Sequence, residues 1–130
     1  MSARLREIVV TFDVFYYDFY FVVGPSKKLA RYLSKRQDQK LSKSIRRVER
    51  VIDGAHGVNF HRRGHPPVIW MPAFNPAASG HVDTLTHEMF HAVLDVMKEI
   101  GMPLRKASEE AYAYAIGNGV GQVLKKWRAR

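Results

Sequence analysis

Residues 84–97 read TLTHEMFHAVLDVM, and the placing of this stretch decides the rest of the chain. Ala92, Val93, Val96 and Met97 recur at spacings of three and four, the period of a helix with one buried face. The spacing predicts a helix from about His81 to Ile100, closed by Gly101 with Pro103 just beyond. Inside it lies His87-Glu88-Met89-Phe90-His91, an HExxH pattern. Positions i and i+4 share a helix face one turn apart, so both imidazoles can reach one ion. Zinc takes imidazole nitrogen at about 2.0–2.1 Å. Glu88 directly follows the first histidine, which places its carboxylate beside the ion, able to take a proton from water rather than bind.

A catalytic zinc site uses three protein ligands and keeps one position open. Candidates for the third are Glu109 and Glu110, at the start of a last helix predicted from Ser108, its N-cap, to about Trp127. The connection Gly101–Ala107 folds that helix back antiparallel, bringing its first turn toward the histidines. Either glutamate suits the positive end of the helix dipole. Gly117, Gly119 and Gly121 weaken helix propensity, and close packing against a neighbour is their expected use. Asp83 and Asp95 each stand four residues from a histidine of the pair, where they could orient an imidazole through its other nitrogen.

Working outward toward the N-terminus, Glu7–Val23 is rich in β-branched and aromatic residues, so it reads as strand. Seventeen residues are too many for one ordinary strand, so a break is expected near Tyr16–Asp18, giving a hairpin. Gly24-Pro25 ends the run, and Ser26 suits an N-cap. Residues 26–53 have helical period, with Leu29, Tyr32 and Leu33 on one face and Leu41, Ile45, Val48 and Ile52 on another. Ser34–Lys40 holds no apolar residue, which suits two helices rather than one. Val58–Phe60 and Pro67–Met71 read as short strands around the polar turn HRRGHP. The prolines at 66, 67 and 72 suit an edge position for the second, because proline donates no ladder hydrogen bond.

The 130 residues are 46% hydrophobic, long enough for one domain with its own core and too apolar for a disordered tail. No apolar run reaches the roughly 18–20 residues of a membrane span, and no secretion signal is read at the start. Zero cysteine excludes disulfides, a thiol nucleophile and thiolate metal ligation, and fits a cytoplasmic setting. The formal net charge is +9, with ten Lys and Arg crowded between Lys27 and Arg50. Such a field attracts polyanions, so nucleic acid is a candidate partner, while a solvated helix face is the plain alternative. No nucleic-acid sequence motif accompanies it.

HEMFHAV followed 19 residues after His91 by Glu110 resembles the gluzincins, the thermolysin-like zinc metallopeptidases. More closely, residues 86–117, THEMFHAVLDVMKEIGMPLRKASEEAYAYAIG, look like the compact metallopeptidases encoded in bacteriophage and prophage genomes. VIWMP at 68–72 is similar to the edge strand preceding their active-site helix. The resemblance implies an α+β, minimal zincin-like domain with a small sheet packed on the HExxH helix and a C-terminal helix. It implies one Zn2+ held by His87, His91 and Glu110, with Glu88 as general base and a peptide or protein as substrate. Glu110 is preferred because it directly precedes Ala111, as the family's ligand often does. Tyr112, Tyr114, His61 and His65 are candidates by chemistry for stabilising an oxyanion. Trp70 and Phe74 are candidates for lining a substrate cleft, and strand 68–71 for pairing with an extended peptide. A non-catalytic zinc- or peptide-binding protein shares every one of these motif residues.

Overall fold

The structure is a computed structural model that describes residues 4–12 and 17–129. Strands β1 (Arg6–Phe12) and β2 (Tyr17–Val23) pair antiparallel, with Phe12 opposite Tyr17. The reversal therefore falls between Phe12 and Tyr17, close to the break expected near residues 16–18. Tyr17 and Asp18 lie within β2, and residue 16 is outside the described residues. A 3-10 turn at Ser26–Lys28 leads into α1 (Leu29–Arg36), so Ser26 sits inside a turn rather than capping a helix. α2 (Leu41–Val51) follows after the apolar-free break, where Asp38 takes φ +46°. β3 (Val58–Phe60) and β4 (Val68–Met71) precede the two long helices α3 (Ser79–Glu99) and α4 (Glu109–Arg128).

The fold is α+β, a mixed four-stranded sheet in the order β1-β2-β4-β3 with four α-helices among the described residues. β2 and β4 run parallel, and β3 pairs antiparallel to β4, with Asn59 opposite Ile69. This corrects the edge assignment of strand 68–71. All four residues of β4 are buried between β2 and β3, and β3 is the edge. Pro66, Pro67 and Pro72 lie outside β4, so none interrupts its ladder. Pro67 even serves the sheet, its carbonyl accepting from the Tyr20 N–H at 3.0 Å.

Strand side chains alternate between two faces, and each face carries its own apolar cluster. Ile8, Val10, Phe12, Phe19, Phe21, Ile69 and Met71 meet Leu85, Met89, Ala92, Val93 and Met97 of α3 and Tyr112, Ala115 and Val123 of α4. On the opposite face Val22, Val68, Trp70 and Phe60 pack against Leu29 and Leu33 of α1 and Val48 of α2. Phe19 and Phe21 are fully buried, each stabilising by about 1.5–3 kcal/mol over an exposed ring. Leu41 and Ile45, expected on the buried face of α2, stand exposed, and Ser44 with Val48 faces inward instead. The edge of β1 is covered by α4: the Gln122 amide accepts from the Thr11 N–H at 3.0 Å and donates to its carbonyl at 2.7 Å.

Candidate metal centre

α3 owes its orientation to Leu85, Met89, Ala92, Val93, Val96 and Met97, all buried. With that stripe turned inward, His87 and His91 fall on the exposed side and Glu88 at its border. The two Nε2 atoms face each other at 3.2 Å. Two nitrogens bound at zinc distances to one tetrahedral ion would stand about 3.3–3.4 Å apart, so the pair already has the spacing of shared ligands. The same spacing allows one imidazole to donate to the other.

Glu88 Oε1 lies 4.0 Å from His87 Nε2, and its side chain is only 12% exposed. Burial pushes its carboxyl above the usual range, while both histidines and the backbone N–H of Asn59 pull the other way without cancelling the rise. A carboxylate raised in this way is a better proton acceptor than one in water. The donor from Asn59 belongs to the edge strand, so β3 and the HExxH helix meet at the proposed base. The loop entering β3 lies directly on α3: a Cβ at Gly57 would stand 2.7 Å from Thr84 Cγ2. That contact carries His56 to the rim of an open cleft of about 500 Å³ shared with Asp83, Thr84, His87 and Glu88. Neither His56 nor Asn59 is singled out by any motif. The glycine after His56 was the sole signal, and its close approach is a tertiary fact.

Farther along α3, two carboxylates tie the β3–β4 connection down. Glu99 accepts from the Gly64 N–H at 2.9 Å and the Tyr17 hydroxyl at 2.8 Å, and pairs with His61 Nε2 at 2.8 Å. Asp95 accepts from Asn59 Nδ2 at 2.8 Å and lies 3.9 Å from His61 Nδ1. Asp95 is thus engaged with β3, whereas Asp83 is exposed in the cleft beside His87.

Glu109 and Glu110 are exposed in the first turn of α4. Among the described residues no group of three or more His, Cys, Asp or Glu side chains comes close enough to hold a metal ion, so Glu110 is not gathered with the imidazoles here. Ser108 occupies the N-cap position without a side-chain cap bond. Its hydroxyl instead donates to the Pro103 carbonyl at 2.8 Å and accepts from the Arg105 N–H at 2.9 Å, closing the loop.

Of the oxyanion candidates, Tyr112 is buried with its hydroxyl donating to the Met102 carbonyl, and Tyr114 projects from α4 at 61% exposure. His61 is held by Glu99, and the His65 carbonyl accepts from Tyr17. Trp70 and Phe74 do not line the cleft. Trp70 packs on the α1–α2 side and donates to the Gly24 carbonyl, while Phe74 is buried against Phe21 and Trp127. No helix among the described residues is long and apolar enough to cross a membrane. No family model, curated protein or solved structure matches this chain.

Proposed function

We propose that this chain is a small zinc-dependent metallopeptidase of zincin-like design, with Glu88 as general base. The observation that carries the reading is the imidazole pair of His87 and His91, 3.2 Å apart on the exposed side of α3, with the shielded Glu88 carboxylate beside it. His87 and His91 would hold the ion, and the reading requires the exposed carboxylate of Glu110 to turn toward them as third ligand. Bound zinc supplies a Lewis acid and a water acidified toward neutral pH. Glu88 receives the proton of the attacking water on its carboxylate and delivers it to the leaving amine. The Asn59 N–H holds that carboxylate in place. β3 is the sheet edge beside the cleft, and an extended peptide adding to it as a further strand would meet Glu88 at the Asn59 N–H.

The test is Glu88→Gln. The variant should keep its zinc by elemental analysis and lose at least about 100-fold of hydrolysis across a mixed peptide library. Parental cleavage by the variant would end the general-base assignment.

A further inference from the structure

The sheet separates the HExxH helix from a second feature that the peptidase reading does not use. Residues 26–53, which form the α1–α2 layer, carry ten basic and three acidic side chains, seven of the nine net positive charges of the chain. Some of these cations are structural. Arg36 pairs with Glu7 at 2.7 Å and lies over the Tyr20 ring, and Arg47 binds Gln37, Gln39 and the His61 carbonyl. Lys27, Arg31 and Lys35, together with Lys28 and with Arg4 from the head of β1, line a groove of about 1000 Å³ between β1 and α1. Lys27, Arg31 and Lys35 are exposed and recur every four residues, so they rise along the groove in steps of about 6 Å.

No acidic residue lines this groove among the described residues. Of the nearby carboxylates, Glu7 is taken up by Arg36 and by the Tyr32 hydroxyl, and Asp53 lies in the adjoining pocket that Arg4 also lines. Arg4, Lys27, Arg31 and Lys35, in a concave channel whose described lining holds no acidic residue, form a track for a linear polyanion. A membrane surface fits less well. Membrane-bound helices present apolar side chains beside their cations, whereas Leu29 and Leu33 of α1 are fully buried in the core and the exposed Leu41 and Ile45 of α2 lie outside the groove lining.

We propose that this groove binds the phosphodiester backbone of nucleic acid, without reading sequence, on the face of the sheet opposite the HExxH helix. The experiment is fluorescence anisotropy of a mixed-sequence 20-base-pair DNA with the whole chain. The parent should bind at 50 mM salt and weaken about 40- to 150-fold at 200 mM, as three or four phosphate contacts require. K27E/R31E/K35E should lose at least about tenfold in affinity and show a shallower salt slope. The neutral variant K27Q/R31Q/K35Q should fall between the two, which guards against a folding defect in the charge reversal. K98E/K106E, altering exposed lysines of the other layer, should bind like the parent. Absence of binding at 50 mM, or parental binding by the charge reversal, overturns the proposal. So does equal competition by polyglutamate, or binding to phosphatidylserine vesicles without binding to DNA. Peptide hydrolysis by K27E/R31E/K35E should match the parent, so the two functional readings fail separately.

Discussion

His87 and His91 show how far two side chains can be specified by local spacing. Four residues on a helix fix their separation, and the buried stripe of α3 fixes the direction in which both point. The third ligand lacks that guarantee, because a carboxylate on another helix depends on how the two helices cross. The assignment is open to a direct comparison. Glu110→Ala should weaken zinc binding by about 10- to 100-fold in a competition titration, while Glu109→Ala stays near the parent. Equal losses in the two variants, or none in either, would remove Glu110 from the ligand set. His56 and Asn59 illustrate the opposite limit: His56 reaches the cleft, and the Asn59 N–H reaches Glu88, only because Gly57 lets the loop before β3 lie against Thr84.

At the scale of elements, the pairing of α3 with α4 explains one of three glycines. A Cβ at Gly119 would stand 2.7 Å from Met89 Sδ, in a fully buried contact. Gly117 and Gly121 have nothing within 4 Å, so close packing does not account for them. Gly119→Ala should therefore destabilise by about 1 kcal/mol, overpacking outweighing the gain in helix propensity. Gly117→Ala and Gly121→Ala should each stabilise by about 0.5–1 kcal/mol. Urea denaturation of the three variants separates these signs.

The junction of α3 with the β3–β4 connection carries a pH dependence. Burial alone would raise the Glu99 carboxyl, but hydrogen bonds from Gly64, His61 and Tyr17 outweigh it and hold the group below its usual range. A depressed carboxylate contributes stability that is present above its unfolded pKa of about 4.3 and disappears as pH falls through the folded value. Glu99→Gln should accordingly be less stable than the parent at pH 7. The difference should shrink on acidification below about pH 4, as followed by urea midpoints across that range.

For the whole molecule, a ligand that binds only the folded state adds its binding free energy to stability. At free zinc 100-fold above its dissociation constant, unfolding should cost about 2.7 kcal/mol more than in chelator, and His91→Ala should abolish the increment. A parent chain whose unfolding midpoint ignores zinc would remove the metal centre. The three-layer build also keeps the two proposed surfaces apart. The basic α1–α2 layer and the HExxH helix share a sheet but occupy different faces of it.

Much of the architecture was legible in the chain itself. β3 is found at the expected residues, the break between α1 and α2 lies in the apolar-free stretch, and α3 ends beside Gly101, whose φ is +79°. Helical period, turn residues and strand composition are local properties, and the imidazole pair is local as well. Tertiary structure alone decided what depends on neighbours distant in sequence. It made β4 interior and β3 the edge, because β4 pairs on one side with β2, more than forty residues earlier. It turned Trp70 to the α1–α2 core, exposed Leu41 and Ile45, and left Glu110 at the surface. Spacing along one helix fixes which side chains share a face, but only packing between elements sets what that face meets.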